Sequence, residues 1–311
     1  QAAALAGANA VKFQKRDNKA LFTEAAYNAP YESENAFGHT YGQHREALEF
    51  GRDEYVELIK ESRSQGIEFF ATPWDFPSVD FLEDLNVPAY KVASCDLTNT
   101  PLLRYIASKG RPTIISTGGG TLEAVDRAVG VVQEEGAPLV VMQCTSGYPP
   151  RFDELNLSVI STFRDRYPGV TIGYSGHDSG IAMALVASVL GARIIEKHFT
   201  LNRAMKGTDH AFSLEPDGLR KMVRDLGRAH DALGDGVKRS YESEAAPLKK
   251  LSKMIVAKEA LPAGHVLSSA DFEYRSPGHG VAPADADVLV GRALVKDIPA
   301  LTPILRDDVA K

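Results

Sequence analysis

The residues from Ile172 to Thr200 read IGYSGHDSG, IAMALVASVL and GARIIEKHFT, and their pattern indicates the fold class. The β-rich segments of this unit are Val170–Tyr174, which begins two residues before the quoted stretch, and Arg193–Thr200. Between them, Ile181–Leu190 has the apolar spacing of a helix. A strand, a helix and a second strand in this order predict two parallel strands.

Two histidines lie at the carboxyl ends of these strands. Parallel strands end at the same edge of a sheet, where α/β proteins place their sites, so we expect His177 and His198 to lie close together. A single histidine at a strand end more often makes a structural hydrogen bond, but two on neighbouring strands favour metal binding or acid–base chemistry. We therefore predict that His177 and His198 hold one divalent ion.

The same alternation extends over most of the chain. Seven β-rich runs are separated by helical patterns, namely Ala10–Gln14, Ile67–Thr72, Ala89–Ser94, Thr113–Thr117, Leu139–Cys144, Val170–Ser175 and Ile194–Thr200. Runs that are apolar along most of their length predict a parallel sheet buried on both faces. Eight such units close a (β/α)8 TIM barrel, and the first ten residues have a helical pattern that should follow a strand. We expect a TIM barrel whose first strand precedes Gln1. An open doubly wound sheet is the alternative, although no glycine-rich dinucleotide motif follows the early strands.

The pattern changes after Leu233. Residues 236–250 are polar and turn-rich, which predicts a linker between a barrel domain of residues 1–235 and a small, mostly β domain of residues 251–311. The β-like runs of the small domain are Met254–Ala257 and Val288–Leu294. Within the barrel domain, Lys15–Arg52 is too long for a plain loop and is rich in aromatic residues, so we expect it to pack over the site or over a neighbouring subunit.

Composition excludes some classes of partner. The chain has 311 residues, a formal net charge of -6 and 44% hydrophobic residues, and it has no basic cluster that would attract nucleic acid or an anionic membrane. No apolar run approaches the ~18 residues that a membrane span requires. The two cysteines lack metal-ligand spacing, which favours reduced thiols in a cytoplasmic protein.

Polar side chains occur at the end of every predicted strand. They include Lys12, Gln14, Thr72, Lys91, Ser94, Asp96, Ser116, Ser146, Tyr148, Ser175, His177, Glu196 and His198. Lys12 and Lys91 interrupt apolar runs, and a buried ammonium group requires an anionic partner. A side chain whose ammonium reaches solvent is the alternative for each lysine. Two ammonium groups beside a row of hydroxyls predict a site for a small molecule that carries phosphate and carboxylate groups.

Eight motifs occur along the chain in this order: VKFQ, FFATPWD, YKVASCDLTN, ISTGGG, CTSGYP, IGYSGHDSG, EKHFT and GTDHAFSLEP. Together they resemble the sialic acid synthase (N-acetylneuraminate synthase) family, which includes legionaminate, pseudaminate and spore-coat polysaccharide synthases. Near the end of the chain, MIVAKEALPAGHVLSSADF and GRALVKDIPALTPI resemble the antifreeze-like (SAF) domain that follows the barrel in this family. The resemblance covers nearly the whole chain.

The resemblance implies a reaction and a set of site residues. Family members condense phosphoenolpyruvate with an open-chain N-acetylated amino sugar such as N-acetylmannosamine, add water, and release phosphate by C–O cleavage. They use Mn²⁺, or alternatively Mg²⁺ or Co²⁺, to polarise the sugar aldehyde, and the matching ligands are His177 and His198. By motif match, the catalytic residues would be Lys12, Lys91, Asp96 and Asp209. The substrate-binding residues would be Gln14, Thr72, Ser94, Ser116, Ser146, Tyr148, Ser175 and Arg275.

The chain departs from the family pattern at three positions. The family carries a glutamate on the first barrel strand in an EIGINH-like motif, which we expect upstream of Gln1. Ser146 lies where many sialic acid synthases have asparagine and resembles the pseudaminate and spore-coat branches, so the acceptor sugar stays open. The family sequence GPDH is GTDH at residues 207–210.

The resemblance also implies an assembly, and other functions remain open. The family forms a domain-swapped homodimer in which an arginine matching Arg275 reaches the partner's sugar site, although a solvated loop arginine is the alternative. An aldolase or 3-deoxy-sugar phosphate synthase acting on a phosphorylated aldose is disfavoured, because we find no spare arginine or lysine pair at the rim for a second phosphate. A sugar-binding protein without catalysis is the third hypothesis.

Overall fold

The computed structural model describes residues 1–310 and divides them into two compact units. The first unit is Gln1–Gly234, and the second begins at Asp235. Each unit has a hydrophobic core of its own, built around Tyr90 and Ile115 in the first and around Ile255 and Ile304 in the second.

Seven parallel strands form one sheet in the first unit, in the order in which they occur along the chain. They are β1 (Ala10–Lys15), β2 (Glu68–Pro73), β3 (Tyr90–Val92), β4 (Thr113–Ser116), β5 (Leu139–Cys144), β6 (Thr171–Gly176) and β7 (Ile194–Lys197). The sheet is strongly curled. Five strands lie between β1 and β7, yet Lys12 Nζ on β1 is only 2.8 Å from Glu196 Oε1 on β7. The predicted barrel class is confirmed as this curled parallel sheet, and a strand before Gln1 stays a prediction.

Helices surround the sheet and connect its strands. The first unit contains α1 (Ala2–Leu5), α2 (Asn18–Leu21), α3 (Glu24–Asn28), α4 (Tyr41–Glu46), α5 (Arg52–Ser64), α6 (Phe76–Asp84), α7 (Thr100–Ala107), α8 (Leu122–Glu134), α9 (Val159–Arg166), α10 (Ala182–Val189) and α11 (Pro216–Leu233). Side-chain caps set several of the starts: Asp75 accepts a hydrogen bond from the Ser78 N–H at the start of α6. Leu103 and Ile106 of α7 are fully buried in the core. This packing fixes the strands and therefore the positions at which they end.

The two faces of the sheet divide the strand residues by their period of two. Val11 of β1 packs against the core outside the sheet, whereas the next residue, Lys12, lines the cavity inside the curl. On β7, Ile195 packs outward while Glu196 lines the cavity. The lysines that interrupt apolar runs therefore lie on the concave face, which explains how such strands tolerate them.

The segment Lys15–Arg52 is not a plain loop, because it contains the three short helices α2, α3 and α4. Its aromatic rings pack on one another, with the Phe22 and Tyr41 centroids 5.1 Å apart and the Tyr31 and Tyr41 centroids 5.4 Å apart. These rings give a segment with little regular structure a small apolar core of its own.

The second unit contains α12 (Ala245–Leu251), which overlaps the end of the predicted linker, and an antiparallel pair of strands, β8 (Met254–Ala257) and β9 (Phe272–Arg275). The prediction of a strand at Val288–Leu294 is wrong, since Val288 ends a 3₁₀ helix and Gly291 has a φ of +81° that interrupts extended backbone. β9 was missed because FEYR is short and alternates charged with aromatic residues. Within residues 1–310, no helix has the length and apolarity to cross a membrane.

Candidate active site

The carboxyl ends of the strands open into a cavity of about 870 Å³ in the first unit. Twelve of the fourteen predicted site residues line it: Lys12, Gln14, Thr72, Lys91, Ser94, Ser116, Ser146, Tyr148, Ser175, His177, His198 and Asp209. The lining does not include Asp96 or Arg275. Most of the residues predicted at the strand ends therefore line one cavity.

The two predicted metal ligands face one another. The ring centroids of His177 and His198 are 5.2 Å apart and the planes are 80° from parallel. His177 Nδ1 lies 3.0 Å from the Thr145 carbonyl oxygen, which accepts from an Nδ1–H and leaves Nε2 with its lone pair. Asp209 Oδ2 lies 3.7 Å from His198 Nδ1.

Both imidazoles are held neutral. Burial lowers the pKa of His177. Burial also lowers the pKa of His198 to about 4, and the nearby Asp209 carboxylate only partly opposes this effect. Neutral imidazole is the form that binds a divalent ion, so the donor set fits the predicted metal. Within residues 1–310 no third His, Cys, Asp or Glu completes a protein ligand cluster, and two histidines alone would leave positions for oxygen ligands.

One carboxylate lies between the two predicted lysines. Glu196 Oε1 is 2.8 Å from Lys12 Nζ and 3.9 Å from Lys91 Nζ, and it accepts a hydrogen bond of 3.1 Å from Ser175 Oγ. Burial opposes ionisation of Glu196, but the two ammonium groups keep its pKa well below the usual range. Two cations share one anion here, so the inner end of the cavity retains positive charge for an anionic ligand.

Lys91 is the more deeply buried of the two lysines, with only 2% of the residue exposed. Burial lowers its pKa to about 8. Its ammonium group donates to Ser116 Oγ and to the Val92 carbonyl oxygen. Sequence reasoning placed Glu196 at this rim without giving it a role. Its position two residues before His198, on the same face of β7, was the available signal.

The glycines of the ISTGGG motif allow the hydroxyl groups to converge. Ser94 Oγ accepts a hydrogen bond of 3.0 Å from the Gly118 N–H. A side chain at Gly118 would overlap the hydroxyl groups of Ser94 and Ser146. The ends of β3, β4 and β5 therefore approach one another so closely at the rim that only glycine fits at this position.

Aromatic rings close one side of the histidine pair. The Tyr148 ring stacks on His177 with centroids 4.3 Å apart, and Phe212 lies 4.9 Å from His198. Burial raises the pKa of Tyr148 to about 12, so its phenol stays protonated and can donate a hydrogen bond. Phe212 was not predicted as a site residue, since nothing in its local sequence distinguishes it from a core residue.

Two predicted residues lie elsewhere. The Asp96 carboxylate is buried outside the cavity lining and accepts a hydrogen bond of 3.1 Å from Asn99 Nδ2, and burial raises its pKa. Arg275 is exposed in the second unit, where its Nη2 lies 2.9 Å from Glu273 Oε1. Their catalytic and substrate-binding roles stay predictions.

The mouth of the cavity contains cations that strand-end reasoning did not find. The segment between Lys15 and Arg52 contributes Arg16 and Arg45 to the lining, and the loop after β7 contributes Lys206. The expectation that the rim lacks a spare arginine or lysine pair is therefore wrong. Arg45 lies on the short helix α4, and Arg16 and Lys206 lie on loops, so the alternation of residues along the strands does not predict where these side chains point.

A curled parallel sheet with polar residues from every strand end converging in one cavity places the first unit in the (β/α) barrel class. The chain belongs to the NeuB family, whose model matches residues 1–238, and residues 252–310 match the SAF domain. The predicted resemblance is thereby confirmed.

Characterised relatives are synthases of nonulosonic acids. The chain is 39% identical over 290 residues to the N-acetylneuraminate-9-phosphate synthase of Homo sapiens, with 93% of this chain and 81% of the relative covered. It is 33% identical over 299 residues to the N,N'-diacetyllegionaminic acid synthase of Campylobacter jejuni, with 95% and 89% covered. Among solved structures, the N-acetylneuraminic acid synthetase of Leptospira borgpetersenii superimposes with a TM-score of 0.68 at 34% identity, covering 79% of this chain and 82% of that chain.

Proposed function

We propose that the protein condenses phosphoenolpyruvate with an open-chain N-acetylated amino sugar. The methylene carbon of phosphoenolpyruvate forms a C–C bond to the sugar aldehyde carbon, and the aldehyde oxygen takes a proton. Water adds to the carbon that bears the phosphate, and the tetrahedral intermediate breaks its C–O bond to release inorganic phosphate. The product is a 2-oxo acid three carbons longer than the sugar.

The observation that carries this proposal is the single cavity lined by His177, His198, Lys12 and Lys91. The reaction brings together an aldehyde, which needs polarisation, and an enol phosphate, which needs cationic partners. Both kinds of group lie here on the concave face of one sheet. The family membership of the chain supports the same reaction class.

The inner end of the cavity suits phosphoenolpyruvate. Lys12 and Lys91 attract its phosphate and carboxylate groups, and Ser94 and Ser116 supply hydroxyls that hydrogen-bond to their oxygen atoms. The Glu196 carboxylate holds the Lys12 ammonium at 2.8 Å and so orients it before the ligand arrives. Such prior positioning lowers the cost of ordering the charged groups during the reaction.

His177 and His198 are the residues that would hold a divalent ion, with Mn²⁺ the expected metal and Mg²⁺ or Co²⁺ as alternatives. When bound, that ion supplies Lewis acidity that polarises the aldehyde oxygen. Thr145 and Asp209 orient the two rings through the contacts of their other nitrogen atoms. The Tyr148 phenol lies beside the rings and would donate a hydrogen bond to the sugar.

The acceptor sugar and the assembly belong to the same proposal. The names of the human and Campylobacter relatives give one product with a phosphate and one without, so the relatives leave both kinds of acceptor open.

A domain-swapped homodimer, in which Arg275 reaches the partner's sugar site, would supply a sugar contact from outside the first unit. A cytoplasmic location fits two thiols with no disulfide between them.

A phosphate-release assay tests the proposed reaction. Purified full-length protein should release phosphate only when phosphoenolpyruvate, a divalent ion and an N-acetylated hexose are all present. With phosphoenolpyruvate labelled by ¹⁸O at the bridging oxygen, the label should appear in the released phosphate, since the C–O bond breaks. Phosphate release without sugar, or label retained in the 2-oxo acid, would contradict the proposal.

A further inference from the structure

A second cationic region lies at the mouth of the cavity and has no role in the reaction proposed above. It consists of Arg45 on α4 and Lys206 on the loop after β7, with Arg16 beside them, and we call it the mouth cluster. Lys12 and Lys91 lie on strands β1 and β3 and share Glu196. The cavity therefore carries two separate sets of cations.

Arg45 is half-buried and its charge is not compensated. Its Nε and Nη2 atoms lie 3.1 and 2.7 Å from the Tyr41 hydroxyl oxygen, and the guanidinium lies 5.0 Å from the centroid of that ring. Within residues 1–310 Arg45 forms no ion pair, so an edge of the guanidinium remains available to an anion. Guanidinium groups bind phosphate oxygens in a bidentate manner, which a neutral tyrosine partner leaves possible.

Lys206 is held near Arg45 by contacts between the two loops. Its ammonium nitrogen lies 4.7 Å from the centroid of Phe37, and the neighbouring Gly207 N–H donates to Asn35 Oδ1 at 2.8 Å. No carboxylate within residues 1–310 pairs with Lys206. Phe37 and Asn35 both belong to the segment that carries Arg45, so the two cations are held by one connected surface.

His44 lies in the same cavity lining as Arg45 and Lys206, with its ring 5.9 Å from that of Phe37. It is buried, its Nδ1 accepts from the Phe37 N–H at 3.2 Å, and burial together with the charges of Arg45 and Lys206 lowers its pKa. The Arg45 charge also lowers the pKa of Arg16, after burial. Glu49 offsets part of this charge by pairing with Arg16 and Lys15 at 3.3 and 3.5 Å. The mouth retains an excess of positive charge that a dianion would neutralise.

We propose that the mouth cluster binds the phosphate group of the acceptor, so that the substrate is a phosphorylated N-acetylated amino sugar. This inference rests on the proposed condensation. An open-chain hexose has its aldehyde at one end and its primary alcohol at the other. With the aldehyde at the histidine pair, a phosphate ester on that alcohol would lie toward Arg45 and Lys206. The ester is not broken, and the 2-oxo acid product retains it.

The test compares N-acetylmannosamine 6-phosphate with N-acetylmannosamine as acceptors for the full-length protein. We expect kcat/KM to favour the phosphorylated sugar by about 100-fold or more. In Arg45→Gln and Lys206→Gln, each of which removes one charged hydrogen-bond partner, that preference should fall roughly 10- to 100-fold. The KM for phosphoenolpyruvate should change by less than the preference does, because the inner lysines are retained.

Two further variants control this test. Arg104→Gln removes a half-exposed arginine that pairs with Glu134 and Glu135 away from the cavity, and it should retain the preference. Arg45→Lys keeps the charge and should recover part of the loss. Thermal unfolding of each variant checks that the fold is intact.

The outcomes separate this inference from the proposed function. Turnover of N-acetylmannosamine with no preference for its 6-phosphate would overturn the mouth cluster assignment and leave the condensation standing. If neither sugar is turned over, the proposed function fails, and calorimetric binding of N-acetylmannosamine 6-phosphate decides the inference. Binding that weakens in Arg45→Gln supports it, whereas absent or unchanged binding overturns it.

Discussion

Lys91 is almost completely buried, and the proposed reaction needs its positive charge to bind phosphoenolpyruvate. Only 2% of the residue is exposed, and its ammonium group is held by Ser116, by the Val92 carbonyl and by Glu196 at 3.9 Å. These partners stabilise the cation but do not fully replace water, so burial lowers the pKa of Lys91 to about 8.

This pKa predicts a pH dependence. Lys91 is protonated below about pH 8 and loses its charge above it. The phosphate of phosphoenolpyruvate, with a second pKa of about 6, is already ionised at pH 8 and does not titrate above it. The kcat/KM for phosphoenolpyruvate should therefore be level near neutral pH and fall by up to about 10-fold per pH unit above about pH 8. Initial rates measured from about pH 6.5 to about pH 9.5 would show this dependence.

The matching control is Lys91→Met, which has no charge to lose. Its kcat/KM for phosphoenolpyruvate should be low at every pH, without the fall above pH 8. A wild-type profile that stays level to about pH 9.5 would show that Lys91 does not supply charge to the phosphoenolpyruvate site.

The sequence was sufficient to locate the imidazole and ammonium groups of the site but not all of their partners. The strand-end rule located His177, His198 and both lysines, because the period of two and the parallel connection fix where such residues point. It missed Arg45 and Lys206, because the positions of α4 and of the loop after β7 are set by tertiary contacts such as the one between Asn35 and Gly207. The Asp96 carboxylate, also assigned to the site, accepts a hydrogen bond from Asn99, and its role stays a prediction.

At the element scale, the ends of β6 and β7 are joined by a buried ion pair. Lys197 Nζ lies 2.9 Å from Asp178 Oδ1, the two side chains are 3% and 1% exposed, and the Tyr174 hydroxyl donates to the same oxygen at 2.7 Å. Asp178 follows His177 and Lys197 precedes His198. The pair therefore holds together the two chain segments that carry the histidines.

Replacing one partner of this pair should destabilise the first unit. Asp178→Asn leaves the Lys197 ammonium buried without an anion, and we expect a loss of about 3–5 kcal/mol in the free energy of unfolding. Urea unfolding followed by tryptophan fluorescence would measure it, since Trp74, the one tryptophan, lies in the first unit.

A double variant separates the charge effect from packing. Asp178→Asn with Lys197→Met removes both charges and should recover a substantial part of the stability that the single change loses. Glu134→Gln, which removes an exposed partner of Arg104, should change stability by less than about 1 kcal/mol. If Asp178→Asn lowers the free energy of unfolding by no more than Glu134→Gln does, the ion pair does not stabilise the first unit.

Elements of the sheet were easier to predict than those of the second unit. In the first unit, seven apolar strands alternate with six connecting helices. Because the same alternation recurs along the chain, each predicted strand or helix makes the prediction of its neighbours more secure. The second unit has short extended segments joined by isolated bridges, such as those between Leu261 and Ile298 and between Val266 and Ala293. Such a fold depends on contacts distant in sequence, which is why Val288–Leu294 was mistaken for a strand and Phe272–Arg275 was missed.

At the scale of the whole molecule, the curl of the sheet produces the site. The Lys12–Glu196 contact connects the first and last strands, and it places residues from opposite edges of the sheet in one cavity. Motif order in the sequence was enough to predict the family. The distribution of charge within the cavity, with one set of cations at the strand ends and another at the mouth, required the three-dimensional structure.

Phosphate release by His198→Ala, measured beside His230→Ala, tests whether the reaction depends on the histidine pair. His198 faces His177 in the cavity, whereas His230 is exposed on α11. With phosphoenolpyruvate, N-acetylated sugar and Mn²⁺ present, His198→Ala should lose nearly all turnover while its thermal unfolding stays close to that of the wild type. His230→Ala should keep wild-type turnover. Substantial phosphate release by a folded His198→Ala protein would contradict the account, because the reaction would then not depend on the histidine pair.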